Sequence, residues 1–289
     1  MEVKTPDVCT EYFREIVLSE IPKVLETLNR DWPKHFVLHQ LLRVFMEYQK
    51  KKTKFKNSLY LYGTLHDGVF LNITKMELGD KEAIKIYVDA TARDTSMVTK
   101  ALSETDIIPW EKTFTFTHIH SDYSTIIQGV LASHKANSFD VSPNNMFWFP
   151  SGKTIRMSEL PQDTICDFLD GSHADEMNQN WPHRSPRSEL VLKENIEKNF
   201  GLGIFRISDR LLISSALCNY AGGIFVLYTN PEFRGRSYAS KLVQRMVLEI
   251  RKRGWIPFCT VILGNKRSEA VFRNVGFEKF SFADYLIAR

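Results

Sequence analysis

The chain has no Cys-x-x-Cys pair, no Gly-x-Gly-x-x-Gly or Gly-x-x-x-x-Gly-Lys-Ser/Thr loop, and no apolar run near the roughly 18 residues a membrane-spanning helix requires. Each absence removes a class. Cys9, Cys166, Cys218 and Cys259 are widely separated, which argues against a zinc site or a disulfide framework and for reduced, mostly buried thiols. The two common glycine-rich nucleotide loops are excluded, and no membrane partner is expected. The first twenty residues carry Glu2, Asp7, Glu11 and Glu15, whereas leader peptides avoid acids, so no cleaved targeting signal and a cytoplasmic location are expected. Strand spacing puts His118 and His120 on one face, but no third ligand accompanies them, and no metal is expected. Asn72-Ile73-Thr74 is a glycosylation sequon without a secretory signal and reads as chance.

With 289 residues, 43% apolar and 25% charged, the chain has the make-up of a soluble globular protein long enough for two domains. Its net charge of +4 is unevenly shared. Residues 1–150 hold 18 Lys and Arg against 19 Asp and Glu; residues 151–289 hold 20 against 15. The positive field of the second half suits a polyanionic small ligand or nucleic acid equally. The densest basic run, Lys50 to Lys56, lies in the first half and reads as a solvated helix end and loop, so no nucleic-acid partner is expected.

Hydrophobic periodicity gives two helical stretches over residues 11–49. Strands are expected at 59–62, 69–73 and 83–88, a helix at 95–104, a strand at 113–120, a helix at 124–133 and a strand ending near Phe149. The second half gives a short strand at 154–157 and helices near 163–169 and 188–199. Strands at 203–207, 211–218 and 223–229, a helix at 237–253, a strand at 257–263, a helix at 267–274 and a strand at 281–287 complete it. Both halves read α-α-β-β-β-α-β-α-β, an internal duplication with a boundary near 150/151.

The segment Gly222–Gly254 carries the chemistry. Ile224 to Tyr228 is continuously apolar, as in a strand covered on both faces. It is followed by Glu232-Phe233-Arg234-Gly235-Arg236-Ser237-Tyr238-Ala239-Ser240 and an amphipathic helix ending at Gly254. A strand entering a helix through small residues exposes the first unpaired amides and the positive end of the helix dipole, which suits a pyrophosphate. Gly235 permits close approach, and Arg234 and Arg236 add charge-assisted contacts.

Beyond the next strand comes Asn265-Lys266-Arg267-Ser268-Glu269-Ala270-Val271-Phe272-Arg273-Asn274-Val275-Gly276-Phe277. Together the two pieces resemble the GNAT superfamily of N-acetyltransferases. That pattern has an Arg/Gln-x-x-Gly-x-Gly/Ala turn after the fourth strand and an Asn-x-x-Ala/Ser helix closing with Tyr-x-x-x-Gly-Phe. The long first half and Pro231-Glu232-Phe233-Arg234 look most like the glycine N-acyltransferase group and its insect relatives, a group that also offers a mitochondrial alternative for location.

The resemblance implies two tandem GNAT-type α/β (α+β) domains, each a mixed, mostly antiparallel sheet with flanking helices. It implies acyl-CoA as co-substrate, its pantetheine arm lying along Leu227, Tyr228 and Thr229 and its pyrophosphate on the amides of Arg234 to Ser240. Asn265, Ser268 and Phe272 would complete the coenzyme site. The acceptor would be a small amine, possibly glycine or another amino acid, attacking the thioester directly; oligomeric state is not implied. Four positions depart from the family: Phe272 replaces a tyrosine acid, Gly223 a proposed glutamate base, and Glu232 and Ser237 two turn residues. Residues 171–187, with His173, Asp175, Glu176, Trp181 and His183, fall where the family builds its acceptor wall and otherwise read as a solvated, aromatic-pinned loop. Residues 1–150, with acidic Asp89-Ala90-Thr91-Ala92-Arg93-Asp94 in place of the turn, are expected to bind no CoA. The alternative is a catalytically silent CoA-binding or protein-interaction module.

Overall fold

The computed structural model describes residues 10–134 and 138–288. Glu2, Asp7 and Cys9 lie outside them. Of the thiols described, Cys218 and Cys259 are buried and Cys166 half-buried, all three free.

The first half runs β1 (Arg14–Glu15), α1 (Ile21–Leu28), α2 (Phe36–Tyr48), β2 (Phe55–Gly63), β3 (Gly68–Leu78), β4 (Lys81–Ala90), α3 (Ser96–Ser103), β5 (Phe114–His120), α4 (Ser121–Ser133) and β6 (Phe139–Trp148). The second half runs β7 (Thr164–Phe168), α5 (Ala174–Gln179), α6 (Ser188–Lys198), β8 (Phe200–Arg206), β9 (Leu212–Cys218), β10 (Ile224–Thr229), α7 (Tyr238–Lys252), β11 (Phe258–Ile262), α8 (Lys266–Val275) and β12 (Glu278–Ala288). The two orders are identical, so the duplication is present, with a short strand added before each helical pair.

One stretch departs from expectation. Residues 154–157 form no strand, and the opening strand is Thr164–Phe168, where a helix was expected. Thr164-Ile165-Cys166-Asp167-Phe168 pairs along its length with β8, from Thr164↔Arg206 to Phe168↔Leu202. It is an edge strand with Ile165 and Phe168 exposed, so its apolar residues do not mark a buried face and their spacing misleads.

The chain divides into two compact units that are not contiguous in sequence. One comprises the chain up to Leu42, Lys54–Asn144 and the segment from Ser281; the other comprises Arg43–Thr53 and Asn145–Phe280. A cut at 150/151 therefore differs from these units at the end of α2 and within β6 and β12.

In the first unit, β1-β2-β3-β4-β5-β12 lie in that order, antiparallel except for β4 beside β5. Alternation decides the faces: Ile84, Ile86 and Val88 of β4, Phe114 and Phe116 of β5, and Leu286 and Ala288 of β12 share a core with Val98, Leu102, Ile127 and Leu131 of α3 and α4. β4 and β5 pair only at Lys85↔Thr115 and Ile86↔Phe116. Asn72 of the sequon is 1% exposed and donates to the Ser58 carbonyl, which removes it from any modifying enzyme in the folded state.

In the second unit, β7-β8-β9-β10 form an antiparallel sheet, and β11 is the edge of another in which its neighbour is β6. β10 and β11, consecutive strands that approach one another, thus belong to different sheets. Among the described residues, each presents a backbone edge that no strand pairs with.

Candidate functional site

β10 is the strand on which the site is built. Only Ile224 is buried; Phe225 to Thr229 are all half-buried, unlike a strand covered on both faces. The reason is the break beside it, since among the described residues no strand pairs with its second edge. Against β9 the register slips between Phe225↔Leu217 and Tyr228↔Ser215, so Val226 and Leu227 together oppose Ala216. Val226 sits at φ +50°, a conformation that costs a β-branched residue about 1–2 kcal/mol. Such a bulge leaves one residue out of the ladder and bends the strand. Packing of Phe225 and Val226 with Trp181 against the core of Leu169, Met177, Leu192 and Leu217 holds it.

Beyond Thr229, the Asn230 side chain accepts from the Glu232 amide and sets the tight turn Pro231–Phe233. Gly235 follows at φ +79°, with nothing within 4 Å of the position a Cβ would take. Ser237, at φ +61°, is the N-cap of α7 and makes no side-chain cap. The helical ladder begins with Lys241 N–H to Ser237 O at 3.0 Å, so the amides of Tyr238, Ala239 and Ser240 lie ahead of it. Arg234 donates from Nε to Thr229 O at 3.0 Å and lies 5.8 Å from the Tyr228 ring. Arg236 lies 5.7 Å from the Phe233 ring. Among the described residues neither guanidinium has a carboxylate partner, and both are exposed. The turn combines a 15-residue helix's open N-terminus, two cations that lack a carboxylate partner among the described residues and an unobstructed glycine.

Leu227, Tyr228 and Thr229 run directly into Arg234 to Ser240, so these candidate residues are continuous. The Thr229 hydroxyl is engaged by Ser214 Oγ at 2.9 Å, which leaves the strand's backbone as its free feature. Across the break, β11 leads into α8, and α7 and α8 pack together. Asn265 caps α8, accepting from Ser268 N–H at 3.2 Å. Phe272 is 4% exposed with its ring edge-on to Phe277 at 5.1 Å. It is therefore a core residue of α8, whatever part of a ligand passes nearby.

Gly223 is fixed by packing. A Cβ there would meet the Phe258 ring at 2.8 Å, so no larger side chain, a glutamate included, fits without moving that ring.

The corresponding turn of the first unit differs. Asp94 accepts from both the amide and the hydroxyl of Ser96 at the start of α3, at 2.8 and 2.6 Å. A carboxylate of the chain thus fills the N-terminus that α7 leaves open.

Of the acceptor-wall candidates, Trp181 packs edge-on to Phe225 at 6.3 Å, next to the bulge, and 6.4 Å from the His183 ring. His173 is bound to Asp170 at 3.0 Å and stands against Phe205. Asp175 lines a groove of about 530 Å³ between α5 and α6 with Glu189, Lys193 and Glu197. The two histidines of β5 have separate duties: His118 Nε2 is 2.8 Å from Tyr285 Oη, and His120 accepts from Asp122 N–H at the start of α4. The basic run is dispersed, Lys50 pairing with Glu47, Lys51 donating to the Lys198 carbonyl at the end of α6, and Lys56 pairing with Glu77. No helix of the described residues is long and apolar enough to cross a membrane.

The bulge at Val226 and the contact of Trp181 with Phe225 are the features that sequence reasoning missed. A valine gives no sign of a positive φ, and the tryptophan's partner lies more than forty residues away.

Residues 201–286 match the family model described as FR47-like protein. No curated protein matches the sequence. Among solved structures, a Drosophila melanogaster protein aligns with TM-score 0.86 at 15% identity, over 97% of this chain and 99% of its own. A tandem GNAT protein from the clavulanic acid biosynthesis pathway aligns with TM-score 0.55 at 10% identity, over 96% and 97%. A GCN5-related N-acetyltransferase from Sphaerobacter thermophilus aligns with TM-score 0.54 at 12% identity, over 97% and 96%. The fold is the mixed α/β arrangement expected, and it is similar to that of the tandem GNAT structure.

Proposed function

We propose that the second half, residues 151–289, binds acyl-CoA and transfers its acyl group to a small amine, with glycine or another amino acid as candidate acceptor. The observation that carries this reading is the open backbone edge of β10 leading into the uncapped N-terminus of α7. A pantetheine arm carries two amides and pairs with a free strand edge as a peptide does. The pyrophosphate then reaches the amides of Tyr238, Ala239 and Ser240, with Arg234 and Arg236 beside it and Gly235 offering no obstruction. Asn265 and Ser268 flank the ligand from the start of α8. Such a ligand occupies one edge of each sheet at once.

In the reaction the amine nitrogen attacks the thioester carbonyl, a tetrahedral oxyanion forms, and collapse expels the CoA thiolate, which takes up the proton the amine releases. The bulge at Val226–Leu227 turns a backbone N–H out of the ladder, where it can donate to that oxyanion. Most of the acceleration then comes from holding two substrates together. Neither a base at Gly223 nor an acid at Phe272 is available, and general acid or base groups supply ~10²- to 10⁴-fold. A peptide α-amine of pKa about 8 is already roughly a tenth unprotonated at neutral pH, so an acceptor of that kind needs no strong base.

The first half, residues 1–150, is on this reading a degenerate copy without a CoA site, because Asp94 fills the place of the phosphate. A second reading, a silent CoA-binding module, draws on Gly223, whose packing against Phe258 shuts out a carboxylate. Acetyl-, benzoyl- and longer acyl-CoAs are incubated with an amino-acid panel while free thiol is measured. Acceptor-dependent thiol release supports transfer; binding without release across the panel supports the silent module.

A further inference from the structure

β10 is pinned on both sides of its irregular stretch. Upstream, Ile224 and Phe225 face Cys218 and Leu217 of β9, and the Asn219 side chain accepts from the amides of Ala221 and Gly223 at 3.0 and 2.9 Å. Downstream, Tyr228 and Thr229 face Ser215 and Ser214, and Ser214 Oγ donates to the Tyr228 carbonyl at 2.7 Å. The two registers differ by one residue, so the chain between them must carry an extra residue whatever surrounds it.

Pairing does not fix how the residues of the bulge lie. Neighbours in a regular strand point to opposite faces, yet Phe225 and Val226 both pack against the core of Leu169, Met177, Leu192 and Leu217. Val226 reaches it at φ +50°, a strained conformation for a β-branched residue. Trp181 packs against the same core, its ring edge-on to Phe225 with 6.3 Å between centroids and 89° between planes. Such a ring pair is worth about as much as the strain costs, so its removal shifts the balance at the bulge. The tryptophan is itself anchored. Its backbone N–H donates to the Asn178 carbonyl and its carbonyl accepts from Arg184 N–H, both at 3.1 Å, while Ser188 Oγ donates to Asn178 Oδ1 at 2.6 Å and ties the start of α6 to α5 across the loop.

We propose, resting on the acyl-CoA reading of residues 151–289, that Trp181 is a positioning residue for acyl transfer. Through Phe225 and Val226 it aims the backbone N–H of the bulge at the thioester carbonyl, and it takes no part in holding the coenzyme. The two duties are separable because the downstream register is secured without it: Ser214 holds Thr229 at 2.9 Å, and Asn230 N–H donates to the Ile213 carbonyl at 2.9 Å. The turn and the start of α7 follow from that secured end, whereas the reacting end of the ligand meets residues 226 and 227.

Wild type, Trp181→Ala and Trp181→Phe are compared as full-length chains. CoA affinity is measured by calorimetry, and thiol release is followed with the acyl-CoA and amino acid that give the wild type its highest rate. In Trp181→Ala, kcat should fall about tenfold or more while the Kd for CoA and the KM for the acyl-CoA stay within about twofold. Trp181→Phe, which restores a ring beside Phe225, should recover most of the rate. A ring that served stability alone would lower the folded fraction, and rate and CoA binding would fall together. Trp181→Leu, which fills the space without a ring, carries the same expectation as alanine if the alanine variant misfolds. Unchanged kcat in Trp181→Ala, parallel losses of rate and CoA affinity in both the alanine and leucine variants, or no recovery in Trp181→Phe overturns the proposal. Absence of CoA binding or of acceptor-dependent release in the wild type overturns the acyl-transfer reading itself, and the role of Trp181 with it.

Discussion

A methyl group at Gly223 would stand 2.8 Å from the ring of Phe258, a side chain that is itself 1% exposed. Gly223→Ala should therefore destabilise the protein by about 1–3 kcal/mol, the usual cost of overpacking, measured by denaturant unfolding. Gly223→Glu should lose more and gain no turnover; faster acyl transfer in that variant would show that the ring yields and the position is free for a base. His118 sets a second residue-scale expectation. Its imidazole titrates at about 4 in the folded chain, lowered from 6.5 by burial and by Lys85. Between those values the unfolded chain binds more protons, so stability falls as pH drops through the window, by about 3 kcal/mol in all. His118→Asn, which tolerates the φ of +55°, should flatten this slope; an unchanged slope would assign the acid sensitivity elsewhere.

Among the elements, β12 has the most unusual task, because its residues from Ser281 onward belong to the first unit although they end the chain. Ala283 to Ala288 pair with β5, Leu286 and Ala288 enter that unit's core, and Asp284 accepts from Ser124 at 2.5 Å. Removing the chain from Ser281 should bare the β5 edge and abolish the cooperative unfolding of the first unit, seen by calorimetry as loss of a transition and by dye binding to exposed apolar surface. An unaltered melting profile would contradict this. The order of helices and strands was legible because most elements bury one face and show their period, as α7 does with Leu242, Met246 and Ile250. The edge strand Thr164–Phe168 was not, because its apolar residues face outward. Strand pairing between distant parts of the chain, such as β12 on β5, leaves no local signal at all. At the site, Gly235 and the arginines beside it announced an anion turn, whereas the bulge at Val226 depends on packing by Trp181 from a remote loop.

At the scale of the whole molecule, a duplicated order of elements has produced two different ends of equivalent helices. The N-terminus of α3 is occupied by Asp94, and that of α7 is open between Arg234 and Arg236. The account therefore predicts one coenzyme site per chain rather than two, and it places that site in the half with the positive excess. Gly235 stands at the centre of this claim: its φ of +79° makes any side chain there cost about 1 kcal/mol, a small loss against the stability of a whole domain, while a carboxylate would repel the pyrophosphate directly. The most direct measurement is a calorimetric titration of CoA into the wild-type chain and into Gly235→Glu, with folding of both checked by circular dichroism. The account predicts one CoA per wild-type chain and none in the folded variant. Two sites per chain, no binding by the wild type, or unchanged affinity in Gly235→Glu would contradict it.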